Sequence, residues 1–193
     1  MDKEQFALAA YSSARAELVQ RLHLRDNLLI VYLTISGTLI GGTIANKVAA
    51  EFLLVLPFVG VGFAVLVAQH DQIIGGIGQF CATEIGPVIQ SIAPDRQAIP
   101  QWDNSASYLR IRKTAIVLRI IGQLAILVVP VAFALSRNAV HRKFPGDAFT
   151  WLWYSGLAMA VLTTVPSLYV NIKRLLFKRG PAKRPTDDWV VRT

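Results

Sequence analysis

The stretch RIRKTAIVLRIIGQLAILVVPVAFAL, residues 110–135, begins as a basic collar, becomes a membrane-length apolar run, and carries one further cation, Arg119, inside that run. Arg119 lies six residues past Lys113, about 9 Å along a helix rising 1.5 Å per residue. A side chain of that length reaches back to the headgroups by snorkelling, which is the expectation from spacing. The open alternative is an arginine facing a bundle interior or an aqueous pore, where it would favour anions or bind a carboxylate such as Asp71 or Glu84. Other reactive groups offer less. Cys81 sits on an apolar stripe and reads as inert core. His23, His70 and His141 are scattered without ligand spacing, so no metal is expected. Arg137 and His141 in RNAVH lie near one another like a nuclease pair, but on a loop that the charge pattern places on the outer side of the membrane. The four apolar runs defined below contain no aspartate, glutamate or histidine, leaving no proton relay and no carboxylate pair for hydrolysis. No enzyme and no cofactor are expected.

The elements that hold these residues follow from composition. Hydrophobic residues make up 53% of the 193, charged residues 17%, and the mean hydropathy is +0.45, values of a membrane chain. Four runs suit the roughly 20 helical residues that cross a hydrocarbon core: Leu28 to Ala45, Phe52 to Gln69, Thr114 to Ser136 and Thr150 to Ile172. None alternates like a barrel strand, and lone strands leave backbone groups unpaired in lipid, so all four are helices. The polar, helix-patterned residues 1–24 argue against a signal peptide. A single cysteine excludes a disulfide within the chain. The expected fold is all-α: an integral membrane bundle of four spans in two hairpins, with amphipathic cytoplasmic extensions. It divides into a first amphipathic helix (1–27), a first hairpin (28–69), a cytoplasmic helical segment with a proline-rich break (70–113), a second hairpin (114–172) and a basic tail (173–193).

Lysine and arginine counts orient the spans. Four precede the first span, four lie in the central segment outside the apolar runs and seven in the tail; only four lie in the two opposite loops, and Arg119 is the twentieth. Both termini are therefore expected in the cytoplasm of a bacterial inner membrane. The formal charge of +8 then lies mostly beside anionic lipid, where each basic residue is worth about 1 kcal/mol. Arg110, Arg112, Lys113, Lys173, Arg174, Lys178 and Arg179 are the expected headgroup contacts. No stacking platform points to nucleic acid.

Along the chain, residues 4–44 lack proline, and Phe6, Ala10, Tyr11, Ala14, Leu18 and Leu22 form one helical face. A second stripe runs through Ile73, Ile74, Ile77, Phe80, Cys81, Ile85, Val88 and Ile92, and its glycines 75, 76 and 78 suggest a hinge or a flat contact surface. Pro94 and Pro100 break that helix, and Asp103 or Asn104 caps the next. Gly37 and Gly41, one turn apart, suit close helix approach; with Ile73, Ile77 and Phe80 they are the candidate interface of a homo-oligomer, and Arg119 the candidate pore residue. Pro57, Pro130 and Pro166 are expected to interrupt three spans. The short loop NKVAAE makes the first two spans antiparallel neighbours, and Trp151, Trp153 and Tyr154 form an interfacial belt.

In Ala16 to Leu18, Arg25 to Leu29, Leu54 to Pro57 and Asp71 to Gly78, the first half resembles a group of bacterial integral membrane proteins. These carry an Ala-Glu-Leu, an Arg-Asp-Asn-Leu-Leu entry to the first span, a Leu-Leu-Pro in the second and an Asp-x-x-Ile-x-x-Ile-Gly after it. In layout the chain is also similar to SLATT-type effectors of bacterial conflict systems, although those have two spans where this chain has four. That similarity implies an oligomer that permeabilises the inner membrane when a cytoplasmic partner or signal acts on its helices, in antiphage defence. The alternative is a non-conducting anchor that recruits a cytoplasmic protein. A transporter ranks third, lacking intramembrane acids and an internal repeat.

Overall fold

A computed structural model describes residues 3–92, 106–139 and 148–176, and every element in them is helical. Helix α1 (Lys3–Ile44) runs unbroken for 42 residues. It stops because Asn46 takes a left-handed φ of 56°, a conformation asparagine tolerates better than most residues. The Asn46 N–H then donates to Thr43 O at 3.1 Å and the Lys47 N–H to Gly42 O at 2.9 Å, the paired bonds of a Schellman C-cap. A Cβ on Gly42 would come within 2.8 Å of the Val48 side chain, so glycine lets this turn close.

A 3-10 turn, Ala50–Val55, leads into α2 (Leu56–Phe80). Pro57 does not interrupt that span as expected. It occupies the first turn of α2, where its missing N–H has no helical acceptor to lose. Of the two readings of glycines 75, 76 and 78, a break in the helix is not seen: they lie inside α2, and a π-helical turn, Cys81–Ile85, follows before α3 (Gly86–Ile92). Helix α4 (Ala106–Ala139) contains Pro130, and α5 (Ala148–Leu176) contains Pro166. Four helices are long and apolar enough to cross a membrane; the chain is a multi-pass helical membrane protein.

The hairpins are not separate. Helix α2 packs on α1, α4 and α5, so the four spans share one core. Its layers are Leu53, Leu56 and Ala134; Leu54, Val131 and Leu135; and Tyr32, Ala64 and Leu127. Close approach depends on two glycines. A Cβ on Gly60 would lie 3.2 Å from Tyr32 Oη and 3.3 Å from Val131, and one on Gly156 would lie 3.2 Å from Leu135. A Cβ on Gly37 or Gly41 would instead meet open space. Polar side chains tie the helices where backbone carbonyls are accessible. Asn138 Nδ2 donates to Ala50 O, Trp153 Nε1 to Leu135 O and Tyr32 Oη to Leu127 O.

Beyond the bundle, α1 also packs on the π turn and α3, and Ala7, Cys81 and Ile85 are buried. The two amphipathic extensions thus cover one another in part. Phe6, Phe80 and Val88 remain exposed, and Ile73 and Ile77 are half-buried. Arg110, Arg112 and Lys113 fall near the start of α4, and Lys173 and Arg174 near the end of α5. Pro94, Pro100, Asp103, Asn104, His141, Lys178 and Arg179 lie outside the described residues.

Candidate functional site: a charge cluster among three helices

Asp71, near the middle of the helical run from residue 56 to 92, is 2% exposed. An aspartate buried this deeply requires cationic or hydrogen-bonding partners, and two neighbouring helices supply them. From α1, Arg25 Nη1 donates to Asp71 Oδ1 at 3.2 Å. From α4, Gln123 Nε2 donates to Asp71 Oδ2 at 3.1 Å. Arg119, one turn from Gln123, places Nη1 3.8 Å from Asp71 Oδ1, an ion pair too long for a hydrogen bond. Arg25 also holds Asp26 at 2.6 Å. Two guanidiniums and two carboxylates make the cluster formally neutral.

Arg119 therefore does not snorkel in this structure. Its side chain is 26% exposed and turns to a carboxylate on the neighbouring helix, the second disposition open to it. Helical spacing explains the choice: positions 119 and 123 share a face of α4, and that face meets α2 at Asp71. Glu84, the other acid considered, is exposed.

The depth of the cluster follows from packing register. At the aromatic end, Trp153 bonds to Leu135 O, and Gly156 abuts Leu135 and Pro57. From Leu135, Gln123 lies about 18 Å along α4 and Arg119 about 24 Å. A hydrocarbon core about 30 Å thick, begun at that belt, ends near residue 115, beside the Arg110–Lys113 collar. The same length counted along α5 from Trp153 ends beside Lys173. Two independent ladders thus reach basic collars. Tyr32, bonded at the level of Leu127, transfers the boundary to about residue 20 of α1, beside Arg21, and Pro57 transfers it to about residue 77 of α2. By this register the cluster lies inside the spans, about 6–12 Å from the basic end. On this register Arg25 and Asp71, assigned from hydropathy to the flanking segments, fall level with Arg119 in the third apolar run.

No family model, curated protein or solved structure matches the chain. The site is read from its own chemistry. Among the described residues no group of three histidine, cysteine or acidic side chains could hold a metal. Asp71, engaged by two guanidiniums and an amide, is a fixed counter-charge. Gln123 Oε1, buried and without a hydrogen-bond partner among the described residues, adds an orphaned acceptor beside it.

As a site residue, Asp71 appeared in the sequence reading as a possible partner of Arg119. Arg25 and Gln123 were missed. The available signal was the four-residue spacing of Arg119 and Gln123 on a span otherwise free of charge and amide groups between Lys113 and Ser136. Of the candidate interface residues, the cluster gathers Arg119 alone; Gly37, Gly41, Ile73, Ile77 and Phe80 lie elsewhere on α1 and α2.

Proposed function

We propose that the protein is a bacterial inner-membrane effector that permeabilises the membrane when a cytoplasmic partner or signal acts on its helical extensions. Its termini and central segment face the cytoplasm by the excess of basic residues, and antiphage defence is the setting implied by the SLATT-like layout. The supporting observation is the charge cluster at the junction between spans and extensions. Ionisable groups inside a bilayer are costly, and a passive anchor has no use for four. Arg25 and Asp71, moreover, come from two of the motifs shared with the bacterial proteins that the first half resembles, and they bond to each other.

The cluster lies where movement of α1 would be transmitted. Helix α1 packs on the π turn and α3, and its Arg25 grips Asp71. A ligand that displaces the extensions pulls directly on the ion pair.

Exposed Phe6, Phe80 and Val88 on the extensions support the second reading, a non-conducting anchor for a cytoplasmic protein. They serve a triggering partner equally well. Asp71 inside the spans removes one objection to a transporter, but an acid held by two guanidiniums does not make a proton relay.

Induced expression with a membrane-potential dye, alone and with the neighbouring gene product, tests the effector. Depolarisation or growth arrest is expected in at least one condition. Unchanged potential and growth in both leaves the anchor.

A further inference from the structure

We infer that α1 pairs in parallel with α1 of a second copy of this chain, along an outward seam centred on Asn27. The inference goes beyond the effector reading and holds equally for an anchor.

Helical spacing defines the seam. Steps of four and three residues alternate from Ala16 through Asn27 to Gly41, and every residue reached is exposed. Two residues beyond each of them, a rotation of about 200°, the opposite face is buried or half-buried; Leu18, Arg25, Leu29, Tyr32, Ser36 and Thr43 lie there. The stripe therefore points away from the bundle for about 38 Å. Alternating steps of four and three are the heptad pattern by which two helices pack side by side.

Asn27 says what covers the stripe. Its flanks carry exposed Val31, Leu33 and Ile35, which suit lipid, whereas the stripe itself holds Gln20, His23 and Asn27 and no lysine, arginine or acid. With the boundary at about residue 20 of α1, Asn27 lies about 10 Å inside it, too far for its short side chain to reach back. Its amide makes no hydrogen bond to a described residue, and lipid tails offer neither donor nor acceptor. The partner must bring a polar group to the same depth.

A second α1 does so. Chains inserted the same way are related by a two-fold axis along the membrane normal, so each seam residue meets its own counterpart. An amide both donates and accepts, and two asparagines facing across that axis bond reciprocally; asparagine at a heptad seam also fixes register and pairing. A seam without charge does not repel its copy. Gly37 and Gly41, where a Cβ would meet open space, let the backbones close toward one end. Toward the other, an open groove of about 660 Å³ along residues 15–24 accepts side chains of the facing helix. A partner that covers the whole stripe is one helix continuing through the boundary with an amide level with Asn27, and α1, unbroken for 42 residues, is such a helix.

Single cysteines in the full chain with Cys81→Ala test the seam by copper-catalysed disulfide formation in membranes. Ile30→Cys and Thr34→Cys should cross-link to a dimer about tenfold faster than Ile35→Cys, which is exposed but off the seam. Fluorescence transfer between labelled purified chains, diluted in mild detergent, tests the asparagine: Asn27→Leu should raise the dimer dissociation constant about tenfold and Asn27→Gln should restore most of the affinity. Equal cross-linking at the three positions, or none in chains that insert, overturns the seam. An unchanged dissociation constant in Asn27→Leu overturns the asparagine pair. A purified wild type that stays monomeric at every concentration, while its seam cysteines cross-link to a different protein in cells, overturns the second copy as occupant. The effector reading fails separately: a dimer that never depolarises cells keeps the seam and removes the effector, and a depolarising monomer does the reverse.

Discussion

Arg119 and Asp71 show how a neighbour decides what a charged side chain does in a membrane. Arg119 is within reach of the basic boundary, and water there would solvate it, but a carboxylate 3.8 Å away on α2 offers a partner without that reach. The pairing is unequal. Asp71 has three partners on two helices, whereas Arg119 is one of three and partly exposed. Removing the aspartate takes a bonded carboxylate from Arg25 and an ion pair from Arg119, so Asp71→Leu should cost about 3–5 kcal/mol, the range for breaking a buried pair from one side. Arg119→Gln leaves Asp71 with Arg25 and Gln123 and should cost less than about 1 kcal/mol. Unfolding of the purified variants in mild detergent measures both; equal losses would mean that Arg119, not Arg25, is the principal counter-ion. Insertion gives a second check. Arg119→Leu should insert at least as well as wild type, since the span loses a charge.

Among the elements, contact quality separates two pairs of glycines that look alike in sequence. Gly37 and Gly41 have helical spacing and open space above them, whereas Gly60 and Gly156 meet side chains at 3.2 Å. Gly60→Leu should therefore destabilise the monomer by about 1–3 kcal/mol or more through overpacking. Gly41→Leu should leave monomer stability within about 0.5 kcal/mol and act, if anywhere, on self-association measured by size in mild detergent. A Gly41→Leu chain that unfolds as readily as Gly60→Leu would contradict this packing. The turn after α1 gives a sharper case. Asn46→Gly should be neutral or stabilising, and Asn46→Val should cost about 1–2 kcal/mol, because a β-branched residue is strained at a φ of 56°.

For the molecule as a whole, a hydrocarbon core about 30 Å thick, laid along α4 and α5 from the aromatic end, runs out beside the basic residues of both helices. Trp151 and Tyr154 are exposed at one end of α5 and Tyr169 near the other, as interfacial anchors should be. The proposed orientation, with the basic end cytoplasmic, predicts that cysteines replacing Lys47 and Ser13 in a chain with Cys81→Ala differ in intact cells: the first reacts with an impermeant maleimide and the second only after lysis. Equal labelling of both before lysis would defeat the orientation.

Sequence alone determined the number of spans, their helicity, the continuity of α1 into its extension and the positions of the basic collars, because these depend on hydropathy, backbone hydrogen bonding and charge counts along one dimension. Tertiary structure decided which faces meet. It moved Pro57 from an interruption to a helix start, transferred close packing from Gly37 and Gly41 to Gly60 and Gly156, and joined the hairpins through α2 and α5. It also brought Arg25, Asp71 and Arg119 together across 94 residues of chain. Hydropathy leaves Arg25 and Asp71 outside the apolar runs because each is polar and keeps Arg119 inside one; that the three sit level with one another depends on the packing of three helices.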